Sequence, residues 1–422
     1  MASEHQNSEL ATVGVFVDAG TRYETEENNG VAHFLEHTLF KGTNKRSRTQ
    51  LEMEIENMGG SLNAYTSREQ TVFTATVLKK NLKDAVDILG DIILNSKITQ
   101  QAIENERSVI IAEAQSIEDN LQETVFDRMH GFAFQGTSLS LNILGPESNI
   151  MKINKEDIDT YVKSHYIAPR MAVVGVGDID HGEFTTLVEK HFSGVPSSPV
   201  NNIQPNKGVP FFTGGYSRLR EDHMDTAHVA VGFETAGWND PDHYALMTLQ
   251  MMIGNFHQDR LTDMYSSSYM VKYSAQADLA HSIAPFNTIY SDTGIFGLYA
   301  TAGPMTLDVL SRHMMRAFTH HMTDVSEPIL EEAKAKLRLS ILSQYEGTET
   351  TANELGRQLL SHNRRIHPVE VLARIDAVDE VAVQKVAKRF FHDQDFVVTA
   401  IGPIYELPDY NYMRKFMNPK YM

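Results

Sequence analysis

The sequence predicts an α+β protein built as two duplicated domains of similar fold. Three observations carry this. The chain has 422 residues, too many for one ordinary hydrophobic core, and such a length favours two domains of about 200 residues. Its halves repeat one order of strands, helices and glycines. Strands and helices are mixed without the strict strand–helix–strand alternation of a parallel sheet. The composition, 41% hydrophobic and 22% charged, is that of a folded globular chain.

The elements follow in order. Residues 11–17, Ala-Thr-Val-Gly-Val-Phe-Val, read as a strand running into Ala19-Gly20. Its echo is His228 to Phe233, running into Ala236-Gly237. In both places an acidic turn follows and then a helix. Ile98-Thr99-Gln100-Gln101-Ala102-Ile103-Glu104 is echoed by Val325-Ser326-Glu327-Pro328-Ile329-Leu330-Glu331, and both open long helices. The helix from Ile153 and the buried strand from Met171 to Gly177 match the helix from Ile375 and the strand from Phe396 to Gly402. Between the copies, Val195-Pro196-Ser197-Ser198-Pro199-Val200-Asn201-Asn202 is rich in turn residues. The predicted domains are therefore 1–195 and 216–422, with a linker over 196–215.

The most informative residues are His33-Phe34-Leu35-Glu36-His37. His-x-x-Glu-His is the inverted zinc-peptidase signature. Positions i and i+4 share a helix face, so His33 and His37 can offer two imidazoles to one Zn²⁺. Glu36 lies close to that face and can take a proton from water. Residues 29–42 read as one short helix, with Asn29 as N-cap, Lys41 in the last turn and Gly42 as the terminating glycine. The rest of this helix is apolar, and three polar side chains there are costly unless paired or bound to metal.

Charge and composition narrow the partners. The net charge is −18, from 55 acidic and 37 basic residues. That argues against nucleic acid and anionic membrane and favours cationic partners. The chain has no cysteine, so a zinc ion must be held by histidine and carboxylate, as in catalytic sites. No apolar run approaches the roughly 18 residues of a membrane span. Met1-Ala2-Ser3-Glu4-His5-Gln6 resembles neither a signal nor a transit peptide, and a strand begins almost at once. A longer natural N-terminus is expected.

The duplication is chemically asymmetric. The second half has no His-x-x-Glu-His around Tyr244–Gln250, and Ser340 stands 227 positions after Glu113, the offset that relates the two long helices. One active half and one covering half are expected. A catalytic zinc needs a third protein ligand. The helix after Ile98 offers Glu104, Glu106, Glu113, Glu118, Glu123 and Asp127, and spacing does not choose among them.

The run from His33 to Thr43, the segment Leu62-Asn63-Ala64-Tyr65-Thr66-Ser67-Arg68-Glu69 and the stretch Ile103–Glu113 resemble the pitrilysin family. Within it they are most similar to the beta-type subunits of mitochondrial processing peptidases and to core proteins of respiratory complex III. Pro285-Phe286-Asn287-Thr288-Ile289-Tyr290-Ser291-Asp292-Thr293-Gly294 fits the same subunit type, and the likeness covers nearly the whole chain. It implies that each domain is a mostly antiparallel sheet packed with helices. The family's third ligand lies 76 positions after the second histidine, which is Glu113. One Zn²⁺ per chain is then held by His33, His37 and Glu113, with Glu36 as general base and Glu106 orienting a ligand. Glu123 and Asp127 match the positions that hold arginine in basic amphipathic presequences, Phe40 an aromatic pocket just after the cut, and Asn63-Ala64-Tyr65-Thr66, with Asn63 and Ala64 as the contacting residues, the edge strand that pairs with substrate.

The resemblance also implies an alpha-type partner bearing a glycine-rich loop, which this sequence lacks, and a place in the mitochondrial matrix or on the inner membrane's matrix face. Cytochrome subunits of complex III are the alternative partners, with or without retained peptidase activity. Family members usually begin with a further strand carrying Leu-x-Asn-Gly-Leu, and none is present here.

Overall fold

The computed structural model describes residues 1–199 and 207–417; residues 200–206 of the expected linker fall outside the described part. The strands are β1 (Ala2–His5), β2 (Leu10–Val17), β3 (Ser61–Thr66), β4 (Thr71–Leu78), β5 (Met171–Gly177), β6 (Gly215–Arg220), β7 (Ala227–Thr235), β8 (Phe256–His257), β9 (Ser282–Ile289), β10 (Gly294–Ala302) and β11 (Phe396–Gly402). The helices of the first half are α1 (Val31–Leu39), α2 (Arg48–Asn57), α3 (Leu82–Asn95), α4 (Gln100–Asp119), α5 (Leu121–Ala133), α6 (Glu147–Ile150), α7 (Lys155–His165) and α8 (His181–Phe192). Those of the second are α9 (His243–Ile253), α10 (Tyr269–Ala277), α11 (Leu307–His320), α12 (Glu327–Gln344), α13 (Thr348–His362), α14 (Pro368–Asp376), α15 (Glu380–Phe391) and α16 (Tyr410–Lys415).

Two compact units result. The first takes residues 1–116, 137–209 and 343–365, and the second 117–136, 210–342 and 366–422. The sheet of the first runs β1-β5-β2-β4-β3 and that of the second β6-β11-β7-β10-β9-β8. The order is the same apart from the two-residue β8. In each sheet only the β1–β5 or β6–β11 pair is parallel, so both sheets are mostly antiparallel, as the resemblance implies. Strand β1 was not foreseen, because three half-buried residues and an exposed His5 carry no hydrophobic alternation.

The repeated glycines have a physical reason. Gly177 and Gly402 adopt φ +143° and +115°, and a Cβ on either would meet a backbone oxygen at 2.7 Å, Leu10 in one copy and Thr226 in the other. Only glycine ends a strand in that conformation so close to another backbone.

Each unit also takes a helix from the other half of the sequence. In the first, α13 covers the sheet face made by Phe16, Val72 and Val174 with its Ala352 and Leu355. Gly356 lets it lie close, since a Cβ there would sit 2.3 Å from the Phe16 ring. In the second, α5 buries Val125, Met129 and Ala133, and its Phe126 ring packs 4.8 Å from Phe286 and 5.6 Å from Tyr299. The predicted boundary between halves does not contain this exchange.

Candidate metal centre

Helix α1 is the centre of the first unit. Val31, Ala32, Phe34 and Leu35 are wholly buried, which fixes the opposite face, with Glu36 and His37, toward the remaining opening. The N-cap is Gly30, not the expected Asn29. It has φ +103° and provides no side-chain cap. The cap comes instead from Glu24, whose carboxylate accepts hydrogen bonds from the backbone N–H of Gly30 (2.8 Å) and Ala32 (2.7 Å) and from Asn29 Nδ2 (2.8 Å). Burial pushes the Glu24 carboxyl up to about 7, with the three donors opposing the shift. The helix ends at Leu39, with Phe40 as C-cap. Gly42 therefore lies three positions beyond the last helical residue, at φ +121°, rather than terminating it.

Helix α4 is set against α1 by Arg107. Its guanidinium donates to the carbonyls of Ile150 and Ile153 before α7 and lies 5.8 Å from the Phe34 ring centroid. This places Glu106 and Glu113, two turns apart, opposite the histidines. His33 Nε2 lies 3.7 Å from Glu113 Oε1, and His37 Nε2 3.1 Å from Glu113 Oε2. The two imidazole rings are 4.6 Å apart. One ligand atom from each of His33, His37 and Glu113 lies within 4.8 Å of the others, the one such cluster among the described residues. A tetrahedral ion with bonds of about 2.1 Å needs donors roughly 3.4 Å apart, and two nitrogens with one carboxylate oxygen suit catalytic zinc. The residues fit the ion. Hydrogen bonding to His33 holds the Glu113 carboxyl below the usual carboxylate range, so it is ionised and ready to ligate.

The surroundings orient His37 and Glu36. His37 Nδ1 lies 3.1 Å from Glu106 Oε1, a contact in which Nδ1–H donates to the carboxylate and Nε2 is the ring nitrogen turned to the metal position. Glu106 is buried, and Lys41 Nζ at 2.8 Å from its Oε2 supplies the compensating charge. Glu36 is half-buried, and its Oε2 accepts a 2.6 Å hydrogen bond from Thr66 Oγ1.

The other expected residues are placed as follows. Asn63 and Ala64 lie on β3, which among the described residues pairs only with β4 and forms the sheet's edge. Asn63 is exposed and Ala64 half-buried. Phe40 is half-buried, its ring 6.0 Å from Phe73. Glu123 and Asp127 are one turn apart on α5, but not on the helix that carries Glu113. The chain breaks at Asn120, which caps α5 by accepting from Glu123 N–H and donates to Glu123 Oε1 at 2.9 Å. They belong to the second unit, and Glu113 to the first. Glu24, Lys41, Arg107 and Thr66 carry roles that the sequence reading did not assign. A signal existed for Glu24: a helix opening on glycine needs an acceptor from elsewhere for its first N–H groups.

The sequence profile of the insulinase peptidase family M16 matches residues 1–147, and that of the M16 peptidase inactive domain matches 152–337. The chain belongs to peptidase family M16. The two M16 matches carry the asymmetry already visible in the residues, a peptidase domain followed by an inactive counterpart. Among M16 relatives, the chain is 44% identical over 410 residues to the probable mitochondrial-processing peptidase subunit beta of Arabidopsis thaliana, covering 97% of this chain and 77% of that protein. It is 43% identical over 411 residues to the mitochondrial-processing peptidase subunit beta of Mus musculus, covering 97% and 84%. A chain in a structure of complex III2 from Candida albicans, with Inz-5 bound, superimposes with a TM-score of 0.87 at 21% identity over 99% of this chain and 96% of that one. That last likeness bears on the fold alone. The family makes the chain a metal-dependent peptidase.

Proposed function

We propose that this chain is the catalytic, beta-type subunit of a zinc endopeptidase that removes basic N-terminal presequences from proteins imported into mitochondria. The observation that carries the proposal is the convergence of His33, His37 and Glu113 beside Glu36, within a chain about two-fifths identical to processing-peptidase beta subunits. His33, His37 and Glu113 would hold one zinc ion. Bound there, zinc supplies Lewis-acid polarisation of a scissile carbonyl and acidifies water. Glu36 takes the proton of the attacking water and returns it to the leaving amine. Glu106 and Lys41 keep His37 in the ligating tautomer. The free edge of β3, at Asn63 and Ala64, pairs with an extended substrate backbone, which gives breadth of sequence. Phe40 lines the pocket just after the cut. Glu123 and Asp127 hold the arginine before it, in keeping with the chain's acidic balance.

An alpha-type subunit with a glycine-rich loop is the proposed partner, and the matrix the proposed compartment. No helix among the described residues is long and apolar enough to cross a membrane. A second reading, attachment to respiratory complex III with cytochrome subunits as neighbours, rests on the resemblance of the sequence motifs to that complex's core proteins. The test is cleavage of a synthetic arginine-containing presequence by the chain alone and with an alpha-type partner, with and without a zinc chelator. Chelator-sensitive cleavage that needs the partner is expected. Zinc-loaded, folded chain that cleaves in neither case would transfer the function to the structural reading.

A further inference from the structure

We infer that Thr66 is the positioning residue for the general base: its hydroxyl fixes the Glu36 carboxylate so that one oxygen is held and the other is free to take a proton. The inference rests on the metallopeptidase reading above and gives the Thr66 side chain a role distinct from the backbone pairing of its strand.

Thr66 is the last residue of β3. Its register partner is Thr71 on β4, and its side chain is half-buried on the face turned toward α1, alternating with the exposed Asn63 and Tyr65. Thr66 Oγ1 donates to Glu36 Oε2 at 2.6 Å, across 30 residues of sequence. A hydroxyl-to-carboxylate bond of that length is charge-assisted and among the stronger kinds. Glu36 Oε1 has no protein partner among the described residues.

Glutamate needs such a constraint more than most side chains. It has three rotatable bonds, and the last is broad and nearly two-fold. A base displaced by about 1 Å can lose roughly a hundredfold in rate. Threonine suits the task, because branching at Cβ restricts χ1 and carries the hydroxyl to one place. Lys41 is engaged with Glu106, and Arg107 with Glu104 and two carbonyls, so the hydrogen bond given to Glu36 Oε2 is the one from Thr66.

The test compares Thr66→Val, which keeps shape and removes the hydroxyl, with Thr66→Ser, which keeps the hydroxyl. Both are prepared as the assembled enzyme with its alpha-type partner. Rates are expressed per zinc bound, and wild type and Glu36→Gln run alongside. Chelator-sensitive cleavage by wild type, lost in Glu36→Gln, establishes the underlying reading before Thr66 is judged. Thr66→Val is expected to lower kcat about 10- to 100-fold, with KM within about twofold and zinc content unchanged. Thr66→Ser is expected to stay within about fivefold of wild type. A Thr66→Val enzyme with wild-type kcat overturns the inference. So does a Thr66→Ser enzyme as slow as Thr66→Val, because then supplying the hydroxyl does not restore the rate. A rise in KM at constant kcat also overturns it, placing Thr66 in substrate pairing. Should the valine variant fold poorly, the serine variant and Thr66→Ala, compared per zinc bound, decide on the same criteria.

Discussion

At the residue scale, the same few ångströms divide into groups that hold the ion and groups that do chemistry, and the division is measurable. His33→Ala or Glu113→Ala should abolish zinc binding, since either removes one of three ligands. Glu36→Gln should retain zinc by elemental analysis yet cut turnover by about 10²- to 10⁴-fold, the usual worth of a general base. Wild-type turnover in that variant would remove Glu36 from the mechanism. Glu106→Gln touches no ligand position but loses the charged acceptor for His37 Nδ1–H and leaves Lys41 without its partner. Zinc affinity should fall roughly 10- to 100-fold, read by competition with a chelator. These roles differ in how visible they are in sequence. Two histidines at i and i+4 with a glutamate between announce themselves. Spacing left six acidic residues open for the third ligand, and resemblance chose Glu113. Lys41 was read only as a last-turn helix residue and Thr66 only as part of an edge strand, because a hydrogen bond across 30 or more residues leaves no local pattern.

At the element scale, α1 is the piece on which the site depends, and Glu24 holds its start. Glu24→Ala removes one acceptor from three donors, two of them the helix's own orphan N–H groups. Leaving buried donors unpaired costs about 1–3 kcal/mol each, so a lowered melting temperature and weaker zinc retention are expected together; an unchanged melting temperature would refute the anchoring role. Helix existence was legible in α1 from its motif and flanking residues, and in α4 and α12 from the repeat between the halves. Boundaries were less so. Asn29 looks like an N-cap by residue type, yet the left-handed turn at Gly30 moved the cap by one residue. The break at Asn120 hid within a continuous acidic helical pattern, so Glu123 and Asp127 read as part of Glu113's helix. Charge reversal at both should still weaken arginine-containing substrates selectively. Equal losses on substrates with and without arginine would count against that role.

At the scale of the whole molecule, both units bury a histidine that stays neutral. Burial holds His165 in the first and His321 in the second down at about 4. An unfolded histidine titrates near 6.5. Below that value the unfolded chain binds protons that the native one refuses, so stability is full above about 6.5 and is lost progressively as pH falls to about 4. Glu24 acts in the opposite sense, its raised carboxyl weakening the fold as pH rises from about 4.5 to about 7. Melting temperatures of wild type and Glu24→Gln at stepped pH should therefore diverge between these limits and both decline toward pH 4; a flat profile would contradict the burial of both histidines. The helix exchange has a further consequence, for the timetable of synthesis. A ribosome delivers β1 to β5 early, but one face of their sheet has no cover until α13, ending at His362, has emerged. The peptidase half is thus the first to be made and among the last to be finished. Through most of translation the chain carries an open apolar sheet face, and the proteolytic centre matures only when nearly the whole polypeptide exists. A fragment ending in the linker should be insoluble by itself and recovered by co-expression of the remainder.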